Sequence, residues 1–172
     1  MKNKALLMAQ ALLKLTLWDA EAGSVKNSEV YAQLQELGLP EEVVSRLHEL
    51  ITATKKVGSK LFAYGKILVL KILEFVKANP FLVVSAGISA VVGVAVTGLI
   101  TSIPVVGLIL APVAIALGIT ITVVGAVIGY RLDKTFPSVG EDIAEIAQKF
   151  FALLSEVFNT IFPSSDPSFD NA

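Results

Sequence analysis

The sequence predicts an all-α protein built around an integral membrane helical hairpin, with arms at about 81–101 and 111–130 and amphipathic helices on both sides. Three observations predict it. Residues 78–130 are 53 consecutive positions without a charge, bounded by Lys77 and Arg131. Hydrophobic residues make up 54% of the chain and charged residues 17%, against about 45–50% and about 25% in soluble domains. Outside the uncharged run, apolar residues recur at three and four, the period of a helix. About 18 apolar residues already suffice for a membrane helix, so the mean hydropathy of +0.72 is concentrated where it matters. At 172 residues the chain is one domain by length.

Residues 1–54 read as N-terminal amphipathic helices. The first covers 3–21, rich in Ala and Leu with Trp18 near its end, and Gly23-Ser24 break it. Lys2 and Lys4 before Ala5-Leu6-Leu7, with Ala20-Glu21-Ala22, imitate a signal peptide, but Gln10, Lys14 and Asp19 interrupt the pattern. Gln10, Lys14 and Glu21 share one stripe, so the rest of this helix calls for burial or a membrane surface. A short helix follows at 28–37, ended by Gly38. Pro40 then opens a long helix with Glu41 and Glu42 in its first turn. The sequence predicts that it runs to Asn79-Pro80, bent at Gly58 and Gly65.

Residues 55–79 form the basic part of that helix, leading into the membrane. At 100° per residue, Lys55, Lys56, Lys60, Lys66, Lys71 and Lys77 fall within about 160° of one another. Val57, Leu61, Phe62, Leu68, Val69, Ile72, Phe75 and Val76 take the other side. Those six lysines are the predicted lipid-binding residues, facing anionic head groups. A solvated lysine face on a bundle helix gives the same pattern.

Residues 80–131 are the hairpin. The first arm has 21 residues, about 31 Å of helix, which matches the hydrocarbon thickness. Thr101-Ser102-Ile103-Pro104 breaks it, Gly107 loosens the connection, and Pro112 suits the first turn of the return arm. Lys66, Lys71, Lys77, Arg131 and Lys134 flank the outer ends, which places both termini on the cytoplasmic side. Small residues recur in register at Ser85, Ser89, Gly93, Thr97 and Thr101, and at Ala114, Gly118, Thr122 and Ala126. Gly125 and Gly129 add a GxxxG pair. Such ridges let helices approach closely in lipid. Ser85, Ser89, Gly93, Thr97, Gly118, Thr122, Gly125 and Gly129 are the predicted packing and oligomerisation positions, either between chains or between the two arms.

Ser138 and Glu141 suggest a capping box for a C-terminal amphipathic helix at 138–162, on which Ile143, Ile146, Ala147, Phe150, Leu154, Val157, Phe158 and Ile161 share one face. Residues 163–172, with two prolines and three serines, read as a disordered tail. With so few helices outside the hairpin, a monomer is expected to leave a large apolar patch unless lipid or self-association covers it.

Charge is distributed unevenly. Residues 1–54 carry net −2, 55–77 net +5, 131–137 net +1 and 138–172 net −5, which sum to the overall −1. The basic patch abuts the apolar run, so lipid and not nucleic acid is its expected partner. With no cysteine and one histidine, His48 between Leu47 and Glu49, a thiol or zinc centre has no ligand set. No nucleophile–base pair or phosphate loop is present, so neither an enzyme nor a cofactor is expected. The functional expectation is a small homo-oligomeric membrane protein that perforates or remodels an anionic bilayer. The alternative is a membrane anchor or scaffold whose residues 1–54 recruit a partner protein.

Overall fold

Long stretches of Ala, Leu and other helix formers dominate the chain, and the fold is mostly helical. The computed structural model describes the backbone of residues 2–124, 127–131 and 141–162, and within them the side chains of 5–119 and 145–162. Helix α1 runs Lys2–Ser24 and α2 runs Asn27–Glu36. Gly38, at φ +77°, turns the chain after α2. Helix α3 (Glu41–Ile51) begins after Pro40, which is its N-cap, and buries Val43, Val44, Leu47, Leu50 and Ile51 on one face.

The expected single helix from Pro40 to Asn79 is corrected by the structure. It stops at Ile51, and an antiparallel pair follows: β1 (Lys55–Val57) and β2 (Lys60–Phe62), with Lys55 opposite Phe62 and Lys56 opposite Leu61. β-branched Thr52, Thr54 and Val57 weaken the helix here, and Gly58 at φ +62° makes the two-residue turn with Ser59. Helix α4 (Tyr64–Ala78) then folds back onto α3. Gly65 is a close-approach point and not a bend: a Cβ there would lie 1.9 Å from the Leu50 carbonyl oxygen and 2.9 Å from Ala53 Cβ.

Asn79 ends α4 and Pro80 starts α5 (Pro80–Ala86). Gly87, at φ +92° and ψ 155°, separates α5 from α6 (Ile88–Ser102), and the two axes differ by 118°. A 3-10 turn at Pro104–Val106 leads to α7 (Gly107–Ala116). Pro112 lies inside α7 and not in its first turn.

The second arm at 111–130 is a further correction. Gly118, at φ +83°, ends α7: its amide donates to the Ile115 carbonyl and the Ile119 amide donates to that of Ala114. That paired bonding is the glycine-terminated helix stop. β-branched residues dominate the next stretch, and β3 (Thr120–Val124) pairs antiparallel with β4 (Val127–Arg131). Helices α8 (Glu141–Phe150) and α9 (Ala152–Ile161) close the described chain, separated at Phe151. Gly125, Ser138 and the tail at 163–172 lie outside the described residues.

Helix α6 is the centre of the core. Residues 90–100, eleven in a row, are all buried, enclosed by α4, α7, α8 and α9. Gly98 allows α8 close: a Cβ there would meet Ala147 Cβ at 2.8 Å. Phe75 of α4 joins Phe150 and Phe151 at 5.3 and 5.6 Å between ring centroids, and α1 lies across α4 and α9. The expectation that too few helices exist to sheath the first arm is thereby corrected for α6. Four helices suffice because α6 is thin, being mostly Val, Ala and Gly.

Candidate functional site: the uncharged segment and its coat

The uncharged run is divided by the fold into a wrapped centre and two apolar flanks. No single described helix is long and apolar enough to cross a membrane. The pair Pro80–Ala86 and Ile88–Ser102 is, taken together, long and apolar enough, but it is bent. Helix α5 buries none of its residues, and Phe81 and Val84 are each 87% exposed. On the 3-10 turn and α7, Pro104, Leu108, Pro112 and Ile115 are exposed and carry no charge. Both neighbours of the wrapped helix therefore present apolar faces, which is unusual for a chain whose own core is already filled.

The six predicted lysines do not share one helix face. Lys56 and Lys60 are exposed on the β1–β2 hairpin beside exposed Leu61, and Lys55 is half-buried there. Lys60 Nζ stands 5.1 Å from the Phe62 ring centroid. On α4, Lys66 is buried and donates to the Val25 carbonyl, which fastens the α1–α2 junction to α4. Lys71 lies 4.9 Å from the Trp18 ring centroid and 3.2 Å from Glu74. Lys77 donates to Gln33 Oε1 at 2.9 Å. Thus the α4 lysines bind the coat together, and the hairpin lysines face outward.

Asp19 adds to the same seam. Its Oδ1 accepts from the Ala63 amide at 2.8 Å, at the N-terminal end of α4, where the helix dipole favours a carboxylate. Tyr64, next in the chain, is fully buried, and burial pushes its hydroxyl up to about 12. The unfolded chain ionises its tyrosines near pH 10, while folded Tyr64 holds its proton. Stability should therefore be unaffected by this group below pH 10 and should fall, by about 2–3 kcal/mol in all, as pH rises from 10 to 12. Urea unfolding of Tyr64→Phe beside the native chain checks this, because the variant should lose that part of the alkaline decline.

The small-residue ridge is split by the fold. Gly93 and Thr97 are inside the core, with the Thr97 hydroxyl buried and unbonded among the described residues. Ser89 is half-buried, and Ser85 and Thr101 are exposed. Ser85 Oγ donates to the Leu82 carbonyl at 3.4 Å and Thr101 Oγ1 to the Thr97 carbonyl at 2.7 Å. Gly118 is a helix stop, Thr122 faces Gly129 across the β3–β4 ladder, and Gly125 is outside the described residues. Sequence reasoning missed Gly87, Phe81 and Val84 as a unit. The one available clue was a glycine between Ala86 and Ile88 inside an otherwise good helical run.

His48 is exposed, its ring 4.5 Å from that of Tyr31 between centroids. Among the described residues no three His, Asp or Glu side chains are grouped to hold a metal. The fold and site define a class: a helical bundle coating an uncharged apolar helix whose two neighbours each keep an exposed apolar face. No family model, no curated protein and no solved structure matches the chain.

Proposed function

We propose that this chain is a membrane-active protein that keeps an apolar hairpin, residues 80–130, partly coated by its own helices and inserts it into an anionic bilayer. There, copies assemble to perforate or remodel the membrane. The observation that carries the reading is the combination in one uncharged segment of a buried stretch, residues 90–100 of α6, with apolar side chains left exposed on α5 and on the outer face of α7.

The gain on transfer comes from apolar side chains that stand in water. Moving α6 from a protein core to hydrocarbon exchanges one apolar setting for another and gains little. Phe81, Val84, Leu108 and Ile115 begin largely in water. Burying each one gains up to about 1.5–3 kcal/mol, against the packing lost between α6 and its coat. Lys56 and Lys60 bring the hairpin to an anionic surface at about 1 kcal/mol each. In lipid the open edges of β3 and β4 would be unsatisfied, so the return arm at 111–130 has to be helical there. Both termini then lie on one side, the cytoplasmic side by its flanking Lys and Arg. Ser89, Gly93 and Thr97 become available for contact between copies once α6 leaves its coat, in line with Ser85, which is already exposed.

Flotation tests this. Mixed with vesicles containing an anionic lipid, the full chain should float with them and stay after an alkaline wash. Recovery entirely in the unbound fraction would remove the reading.

A second reading, recruitment of a protein partner, rests on α1. Leu6, Leu13 and Leu17 form an exposed stripe opposite buried Ala11, Leu15 and Ala22. A groove of about 250 Å3 runs beside it, between α1 and α9. Leu13→Asp with Leu17→Asp in the full chain separates the readings. Vesicle flotation survives under insertion, and loss of every co-purifying protein supports recruitment.

A further inference from the structure

We propose that Gly87 is the hinge that decides whether α5 and α6 are two short helices or one spanning helix, and that its rotation gates insertion. This rests on the reading that the segment enters a bilayer. Alone, the 15 residues of α6 reach about 22 Å, short of the roughly 30 Å hydrocarbon layer. Joined with α5 through Gly87, residues 80–102 reach about 34 Å. Straightening one residue therefore converts a helix that cannot span into one that can.

The local geometry isolates the change to that residue. Gly87 sits at φ +92° and ψ 155°, a region open essentially to glycine alone. The ladder already runs up to it and onward from it. The Gly87 amide donates to the Val83 carbonyl at 2.9 Å, and the Val91 amide donates to the Gly87 carbonyl at 3.1 Å. Rotation into the helical region would let the amides of Ile88, Ser89 and Ala90, first-turn donors of α6, take up the carbonyls of Val84, Ser85 and Ala86. Nothing lies within 4 Å of a Cβ built at Gly87, so a methyl group there opposes only the bent backbone and touches no neighbour. Helix α5 is held only through half-buried Leu82, Val83 and Ala86, which pack against the core, so straightening exchanges those contacts for lipid. In water the straight form would extend Phe81 and Val84 into solvent with no gain. In lipid it buries them.

The chain has no cysteine, so Phe81→Cys with Thr101→Cys, both at exposed positions, gives a unique pair for spin labels. The 118° bend places the two backbones about 19 Å apart, and a straight helix places them about 30 Å apart. Full-length protein should give the short distance in buffer and the long one on phosphatidylglycerol-containing vesicles. Gly87→Ala should raise the ratio of long to short about tenfold at limiting vesicle concentration, while Gly23→Ala, in an open helical position of α1, should leave it unchanged. Vesicle-bound native chain that keeps the short distance overturns the hinge and leaves insertion standing. An unchanged or lowered ratio in Gly87→Ala also overturns it, and if that variant does not fold the native distances decide alone. Failure of the native chain to bind vesicles at all removes both the hinge and the functional reading.

Discussion

Gly65→Ala should destabilise the fold by about 3 kcal/mol, more than any exposed substitution in the chain. The cause is geometric. Its Cβ would lie 1.9 Å from the Leu50 carbonyl oxygen and 3.1 Å from the carbonyl carbon, and both are backbone atoms. A flexible side chain would move aside, but the end of α3 cannot do so without losing its own turn. The Gly65 amide also donates to the Ala53 carbonyl at 3.2 Å, so the same shift strains a hydrogen bond. Because α4 packs against α6, displacement of α4 loosens the coat as well. The midpoint of urea unfolding reads the effect. A loss under about 1 kcal/mol would mean that the α3–α4 contact yields more easily than this geometry implies.

Val84→Glu should behave in the opposite way, sparing the fold and disabling insertion. Val84 is 87% exposed, and substitutions at such surface positions usually change stability by no more than about 0.5 kcal/mol. In a straight helix over 80–102 the same position would lie inside the hydrocarbon. A charge there costs up to about 3 kcal/mol at the centre and less toward the ends. An off-centre cost of about 1–2 kcal/mol lowers the inserted fraction about five- to thirtyfold. Flotation of the variant and the native chain at equal lipid measures it. Equal flotation would mean that α5 stays out of the bilayer.

Helix propensity and glycine punctuation made α1, α2 and the start of α3 legible, including the stop at Gly38. Apolar periodicity also marked the C-terminal helical region, although Phe151 divides it. The failures have one physical origin: a hydropathy count registers how apolar a stretch is and not its shape. Residues 111–130 are apolar enough for a helix, yet Gly118 adopts a left-handed conformation and the β-branched residues after it pair as strands. In the small-residue ridge any small residue serves at position 118, whereas the fold uses the conformational freedom of Gly118. Likewise the lysine stripe presumed an unbroken helix. Once Gly58 reverses the chain, Lys56 and Lys60 point outward on a hairpin while Lys66 is buried against the Val25 carbonyl. Burial of α6 was illegible for another reason. It depends on Gly98 letting α8 approach to within 2.8 Å of where a Cβ would be, a contact between residues far apart in the chain.

Insertion of α5 and α6 is the central claim, and release of trapped dyes from anionic vesicles by the full-length protein tests it most directly. The account predicts release by the native chain, with a size cutoff if copies assemble around a defined opening, and at least about fivefold less release by Val84→Glu at equal fold stability. Native protein that binds the vesicles and releases nothing, or Val84→Glu that releases dye as fast as the native chain, would contradict it.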